Sequence, residues 1–144
     1  MIARLSFALL LGLLATPALA EETATQPSKG PAEGPVMGQL LKLPKYIYAW
    51  QNMMAGETPP EWVKAYSATH DGPPTPSIPV PLDGEIYTLG FTCKPNGCET
   101  HQLYVLFAPE GRDAWAMLAQ PSGITWIGRP GQRIQDAIHD ALRK

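Results

Sequence analysis

The sequence has few residues of the kinds that carry out catalysis. Its 144 residues include two cysteines and three histidines. It contains no Gly-x-Ser-x-Gly, His-Glu-x-x-His or phosphate-binding glycine loop. Ser67, His70 and Asp71 are close in the sequence, but a catalytic triad is defined by geometry, and a polar, proline-rich loop explains these residues more simply. The sequence therefore predicts that the protein is not an enzyme and has no cofactor.

Basic residues are also not in excess. Lysine and arginine together number 11 against 13 aspartates and glutamates, which gives a net charge of −2. Nucleic acids attract proteins with a strongly basic surface, so a nucleic-acid partner is not expected. The mild acidity favours approach to a basic protein instead, and added salt would weaken that preference.

Long apolar runs are confined to the N-terminus. Arg4 precedes the apolar stretch Leu5–Leu14, and Ala18-Leu19-Ala20 has the small-x-small pattern of a cleavage site. These features predict a secretory signal peptide over residues 1–20 that is cut before Glu21. The apolar stretch is too short for a membrane anchor, and no later run is apolar enough to span a bilayer. The protein is therefore expected to be exported and to have no membrane partner.

The chain that remains after cleavage is expected to be one domain with an N-terminal tail. Residues 21–38 are rich in Pro, Gly, Glu, Thr and Ala and have no periodic apolar positions. This composition predicts a flexible tether. Residues 39–144 are long enough for a single domain with a core of modest size.

Both cysteines lie in one short segment that is predicted to be a tight turn. Cys93 and Cys98 enclose four residues, which are Lys94, Pro95, Asn96 and Gly97. Proline presets its own φ and Asn-Gly readily adopts positive φ, so the chain is expected to reverse here between two strands. Two cysteines this close in an exported protein favour a disulfide bond, which would make the loop rigid and suited to binding. The alternative that the residues leave open is a metal site at Cys93, Cys98 and His101, although a fourth ligand is missing.

Apolar periodicity predicts three short helices. Pro44 begins the first, which ends near Gly56, and the second spans Pro60–Ala65 after a capping box formed by Thr58 and Glu61. The third ends the chain and has apolar residues on one face and charged residues on the others. The predicted core-facing residues are Ile47, Trp50, Met53 and Met54, then Trp62 and Val63, then Ile134, Ala137, Ile138, Ala141 and Leu142.

Alternating apolar residues between the second and third helices predict an antiparallel sheet. Pro79 and Pro81 lack the N–H on the same side of an extended segment, which places that segment at a sheet edge. Asp83-Gly84 is a hairpin turn into the next strand, and three further strands follow. The inner side of the strand after the cysteines is expected to be formed by Leu103, Val105 and Phe107. The predicted fold class is α+β, an antiparallel meander of about five strands with a helix packed from each end of the chain.

The segment Cys93–Cys98 resembles a loop of the inhibitor of vertebrate lysozyme (Ivy) family. Members of that family have Cys-Lys-Pro-His-Asp-Cys between two antiparallel strands, and four of these six residues are the same here. The likeness extends upstream to Pro60-Glu61-Trp62-Val63 and downstream to the strand that contains Thr125-Trp126. It covers roughly Leu43 to the C-terminus.

The resemblance implies a periplasmic inhibitor whose loop is closed by a disulfide between Cys93 and Cys98. In the family, this loop enters the cleft of a c-type lysozyme, and its histidine meets the catalytic carboxyl pair. The implied partner is thus a c-type lysozyme, or a lytic transglycosylase that cuts the same glycan, and family relatives can also be homodimers. Glu99 and His101 flank the loop and are candidate additional contacts.

This sequence departs from the family at two positions of the loop. Asn96 stands where the family has histidine, and Gly97 stands where it has aspartate. An amide can donate and accept hydrogen bonds, but it cannot become a cation that faces carboxylates. We therefore expect a weaker or retargeted inhibitor. The alternative is a diverged scaffold that no longer inhibits lysozyme and binds a cell-wall fragment or small ligand through exposed aromatic residues.

Overall fold

The structure, a computed structural model, describes residues 34–144. The expected signal peptide lies outside the described residues, as does the expected tether up to residue 33. The last tether residues belong to the fold: Val36 forms an antiparallel bridge with Pro76, and Met37 begins a helix and is 1% exposed. The fold extends upstream of the boundary expected at residue 39 because Met37 fills the space beside Gly90 of the sheet.

Four α-helices and five strands make up the described part of the chain. The helices are α1 Met37–Leu40, α2 Pro44–Met54, α3 Glu61–Thr69 and α4 Gln132–Leu142. The strands are β1 Ile78–Leu82, β2 Glu85–Cys93, β3 Gln102–Phe107, β4 Ala114–Gln120 and β5 Gly123–Ile127. Neighbouring strands are antiparallel and follow the order of the chain, which confirms the predicted α+β meander. Within residues 34–144, no helix has the length and apolar character needed to span a membrane.

Helices cover both faces of the sheet, so the domain has two apolar cores. The larger core lies between the sheet and α1–α3 and contains the predicted inner residues Leu103, Val105 and Phe107. The smaller core lies under α4 and contains Leu106 and Ile138. Antiparallel sheets often leave one face to solvent, but here Leu106 is fully buried because α4 covers the face opposite to α1–α3.

The second helix differs from its prediction at both ends. The capping box predicted at Thr58 is not formed, and Pro60 is the N-cap residue without a side-chain hydrogen bond. The helix continues to Thr69 rather than ending at residue 65, because Tyr66 is buried against the core and extends the apolar face by another turn. It stops where His70 adopts a left-handed conformation with φ of 56°.

The edge strand and the turn after it agree with the sequence. β1 lies at the edge of the sheet and pairs with β2 along one side, so the missing N–H groups of Pro79 and Pro81 break no ladder bond. Asp83 and Gly84 join β1 to β2 with φ values of 57° and 75°, the positive pair that a two-residue type I′ turn requires. β2 therefore begins at a minimal reversal, and its other end leads into the cysteine loop.

Candidate binding loop

A disulfide bond closes the loop at the end of the β2–β3 hairpin. It joins Cys93, the last residue of β2, to Cys98, and the two Cα atoms are 4.8 Å apart. The predicted pairing is confirmed, and the alternative metal site is wrong because both sulfur atoms are bonded to each other. The described residues, 34–144, contain no cluster of His, Cys, Asp and Glu side chains that could hold a metal ion.

Inside the disulfide, the chain makes a four-residue turn from Lys94 to Gly97. The carbonyl of Lys94 accepts the N–H of Gly97 at 3.0 Å. Pro95 occupies the second position, and Asn96, with φ of 60°, occupies the third, which is the arrangement of a type II turn. Asparagine is enriched among the non-glycine residues with positive φ, so this residue suits both the turn and a polar contact.

Backbone hydrogen bonds tie the loop to the start of β3. The carbonyl of Gly97 accepts the N–H of His101 at 2.9 Å, and the N–H of Lys94 donates to the carbonyl of His101 at 3.0 Å. The side-chain amide of Gln102 donates to the carbonyl of Cys98 at 3.0 Å. These bonds and the disulfide hold the loop in one conformation, so a partner that binds it loses little entropy in ordering it.

The tip of the loop lies on the surface of the domain. Lys94, Pro95 and Asn96 are exposed, and Gly97 is partly covered. Glu99, one of the two candidate flanking residues, is also exposed. The predicted tip is therefore accessible to a partner at the end of a rigid hairpin.

Two nitrogen-bearing side chains flank Gly97. A β-carbon on Gly97 would lie 3.2 Å from Cδ of Lys94 and 3.5 Å from Nδ1 of His101. Nδ1 of His101 is also 2.8 Å from Oγ1 of Thr100. His101 therefore belongs to the loop as well as to the approach to β3, and the absence of a side chain at Gly97 lets the stem of Lys94 and the ring of His101 lie on either side of it.

A cleft of about 310 Å³ lies between the loop and α3. Its walls are formed by Cys93, Lys94 and Pro95 and by Trp62, Ala65, Tyr66, Thr69 and Asp71. Burial, together with the nearby carboxylate of Asp71, raises the pKa of Tyr66 to about 12, so its phenol is neutral at physiological pH. Sequence reasoning missed this cleft because no local pattern shows that α3 packs beside the loop.

A larger groove of about 750 Å³ lies between β1 and α4 and has no loop residue in its walls.

Ser67, His70 and Asp71 take separate structural positions rather than forming a triad. Ser67 lies on α3, where its hydroxyl donates to the carbonyl of Val63 at 3.0 Å and accepts from Nε1 of Trp50 at 3.2 Å. His70 is the left-handed residue at the end of α3, and Asp71 borders the loop cleft. The hydroxyl of Ser67 is thus engaged in packing α3 against α2.

The fold and the loop together define a small α+β domain that carries a preformed, exposed surface loop. Comparison with known proteins identifies the family. The sequence model described as "Inhibitor of vertebrate lysozyme (Ivy)" matches residues 46–144, and the chain belongs to that family. The predicted family is therefore confirmed. Members of this family are inhibitors rather than enzymes, which agrees with the lack of catalytic motifs in the sequence.

Individual relatives are similar over most of the chain. A Pseudomonas aeruginosa protein named "Inhibitor of vertebrate lysozyme" is 29% identical over 125 residues, which cover 76% of this chain and 79% of the relative. An uncharacterized protein of Yersinia pestis is 28% identical over 127 residues, which cover 78% of this chain and 80% of the relative. A second, uncharacterized protein of Pseudomonas aeruginosa is 28% identical over 112 residues.

Proposed function

We propose that this protein is a periplasmic inhibitor of lysozyme-type, peptidoglycan-cleaving enzymes, and that it blocks the active-site cleft with the loop Cys93–Cys98. The observation that carries the proposal is the rigid, exposed turn formed by Lys94, Pro95 and Asn96 in a member of the Ivy family. A protruding turn is the complement of a cleft that normally holds an extended glycan chain. The inhibitor needs no reactive group of its own, since occupying the cleft is sufficient.

The chemistry of the target explains why a polar turn inhibits it. Glycan-cleaving enzymes of this type use a pair of carboxyl groups, and the acid keeps its proton because its surroundings raise its pKa. A polar group placed against that acid takes the position of the sugar and engages the proton donor. The exposed amide of Asn96 can donate and accept hydrogen bonds in that position, and the ammonium of Lys94 can pair with a carboxylate.

The rigidity of the loop favours tight binding. In the chain-entropy model, closing a ring of about six residues contributes roughly 2 kcal/mol to the stability of the fold. The hydrogen bonds that join Lys94, Gly97 and His101 add further restraint. The conformational cost of binding is thus met during folding, and more of the contact energy contributes to affinity.

The variant loop bears on the choice of target. Because Asn96 cannot carry the positive charge that histidine can, inhibition of a c-type lysozyme is expected to be weaker than that by a family member with histidine at this position. A lytic transglycosylase that cleaves the same glycan with a catalytic glutamate is the second candidate target. The net negative charge of the chain favours a basic enzyme in either case.

A panel assay tests the proposal. Lysis of peptidoglycan by c-type, g-type and i-type lysozymes and by lytic transglycosylases is measured with and without the protein. We expect the wild type to inhibit at least one enzyme and Lys94→Ala to lose this inhibition. The matched control Lys42→Ala changes an exposed lysine after α1 and should inhibit like the wild type. Absence of inhibition across the panel, or equal inhibition constants for both lysine variants, would contradict the proposal. Fractionation of cells that express the full chain tests the periplasmic location.

The cleft beside the loop supports a second candidate function. A scaffold that has lost inhibition could bind a cell-wall fragment there, since Trp62 offers an aromatic surface and Asp71 a hydrogen-bond acceptor in the same cleft. Calorimetry with purified peptidoglycan fragments tests this function. Binding of fragments by the wild type, loss of binding in Trp62→Ala, and no inhibition of any enzyme would favour the scaffold over the inhibitor.

A further inference from the structure

We infer that His101 is a second recognition residue of the loop, and that it binds a carboxylate of the target enzyme together with Lys94, whose side chain lies on the other side of Gly97. This inference rests on the proposed function, because it concerns how the same loop meets an enzyme whose active site contains carboxyl groups.

The side chains of Lys94 and His101 lie on the two sides of Gly97. Cδ of Lys94 and Nδ1 of His101 both lie within contact distance of one point, the place of the missing β-carbon of Gly97. Any larger residue there would stand between them. The glycine therefore lets the stem of a lysine and an imidazole ring lie close together beside the exposed tip.

The imidazole of His101 is held in place before binding. The backbone of His101 both accepts from the N–H of Lys94 and donates to the carbonyl of Gly97. Its Nδ1 is 2.8 Å from Oγ1 of Thr100. When that hydroxyl donates to Nδ1, the proton of the neutral ring resides on Nε2, which is then the ring atom that can donate to a partner.

The charges around the ring determine the direction of the effect. Lys94 and Glu99 are the charged residues of the loop, and Asp71 borders the cleft on the side of α3. The loop by itself thus carries one permanent positive and one negative charge. Because these two charges balance, a hydrogen bond from the ring of His101 is the further attraction that the loop can offer to a carboxylate beside Lys94.

The test compares His101→Gln with the wild type. Inhibition constants of both proteins are measured against an enzyme that the wild type inhibits. We expect His101→Gln to be roughly tenfold weaker than the wild type, because the ring nitrogen that meets the carboxylate is lost. His101→Asn is the second variant in case the glutamine disturbs the loop, because the shorter amide can still accept a hydrogen bond from the hydroxyl of Thr100.

His139→Gln is the matched control, because it removes a histidine from α4, where the ring packs against Trp126. This variant should inhibit like the wild type. A ratio of inhibition constants between His101→Gln and the wild type that is near one would overturn the inference and leave the proposed function intact. Failure of the wild type to inhibit any enzyme would overturn both.

Discussion

The two ends of β2 reverse the chain in different ways. At its start, Asp83 and Gly84 join two strands with the fewest residues that a hairpin allows. At its end, eight residues from Lys94 to His101 make the same reversal, although a two-residue turn would suffice. The longer connection is held by a disulfide and by its own hydrogen bonds. Extra chain that is rigid and exposed is what a binding surface requires.

The largest effect is expected when the disulfide bond of the longer connection is removed. In Cys93→Ala/Cys98→Ala, the ring is open and the turn must be ordered during binding. We expect roughly 2 kcal/mol lower stability. A similar loss of binding energy corresponds to roughly thirtyfold weaker inhibition. Urea unfolding and inhibition constants measure the two effects, and reduction of the wild type should reproduce them. An unchanged inhibition constant would show that rigidity of the loop does not matter.

A change of chemistry at the tip is expected to have the next largest effect. Asn96→His keeps a residue type that tolerates positive φ and adds a group that can become a cation. Charge-assisted hydrogen bonds are about twice as strong as neutral ones, so roughly tenfold tighter inhibition of a c-type lysozyme is expected at acidic pH. Asn96→Asp is the matched control, since it has the same shape and the opposite charge and should weaken inhibition. If both variants inhibit equally, the tip does not face carboxylates.

A backbone change at the short turn should affect stability and leave inhibition unchanged. In Gly84→Ala, the new β-carbon would meet no atom within 4 Å, so the cost arises from the positive φ of 75° alone. We expect about 1 kcal/mol lower stability by urea unfolding, with an unchanged inhibition constant. Gly84→Asn should be less destabilising because asparagine tolerates this conformation. Weaker inhibition by a well-folded Gly84→Ala would mean that the two ends of β2 are coupled.

The smallest effect is expected from removing a charge at the short turn. Asp83 pairs with Arg133 of α4, and both side chains are largely accessible to water. Exposed ion pairs contribute little, so Asp83→Asn should lower stability by less than about 0.5 kcal/mol. A double-mutant cycle with Arg133→Gln separates the coupling energy of the ion pair from the effect of the substitution on the turn. A coupling energy well above that figure would show that the pair fastens α4 to the β1–β2 hairpin.

The local parts of the fold and of the candidate site were predictable because each depends on neighbouring residues. Alternating prolines at Pro79 and Pro81 specify an edge strand, and Asp83-Gly84 specifies a tight hairpin. The disulfide followed from the spacing of the two cysteines and from expected export. The turn between them was predicted less completely, since the positive φ falls on Asn96 while Gly97 serves to bring two side chains together.

The parts that were wrong or missing depend on residues far apart in the chain. The capping pattern at Thr58 predicted a short helix, but burial of Tyr66 outweighs a single cap and extends α3 to Thr69. The start of the domain was placed too late because Met37, in a segment of low apolar content, finds its partner at Gly90. Neither contact leaves a periodic signal in the sequence.

By itself the sequence determined the order of the elements, the turns and the closed loop, since proline, glycine, asparagine and cysteine act on their own backbone and on near neighbours. The tertiary structure was needed to show that α4 covers the second face of the sheet and that α3 lies beside the loop. Those arrangements arise from burial of apolar surface between distant segments, which is not directional and therefore is not encoded at any one position.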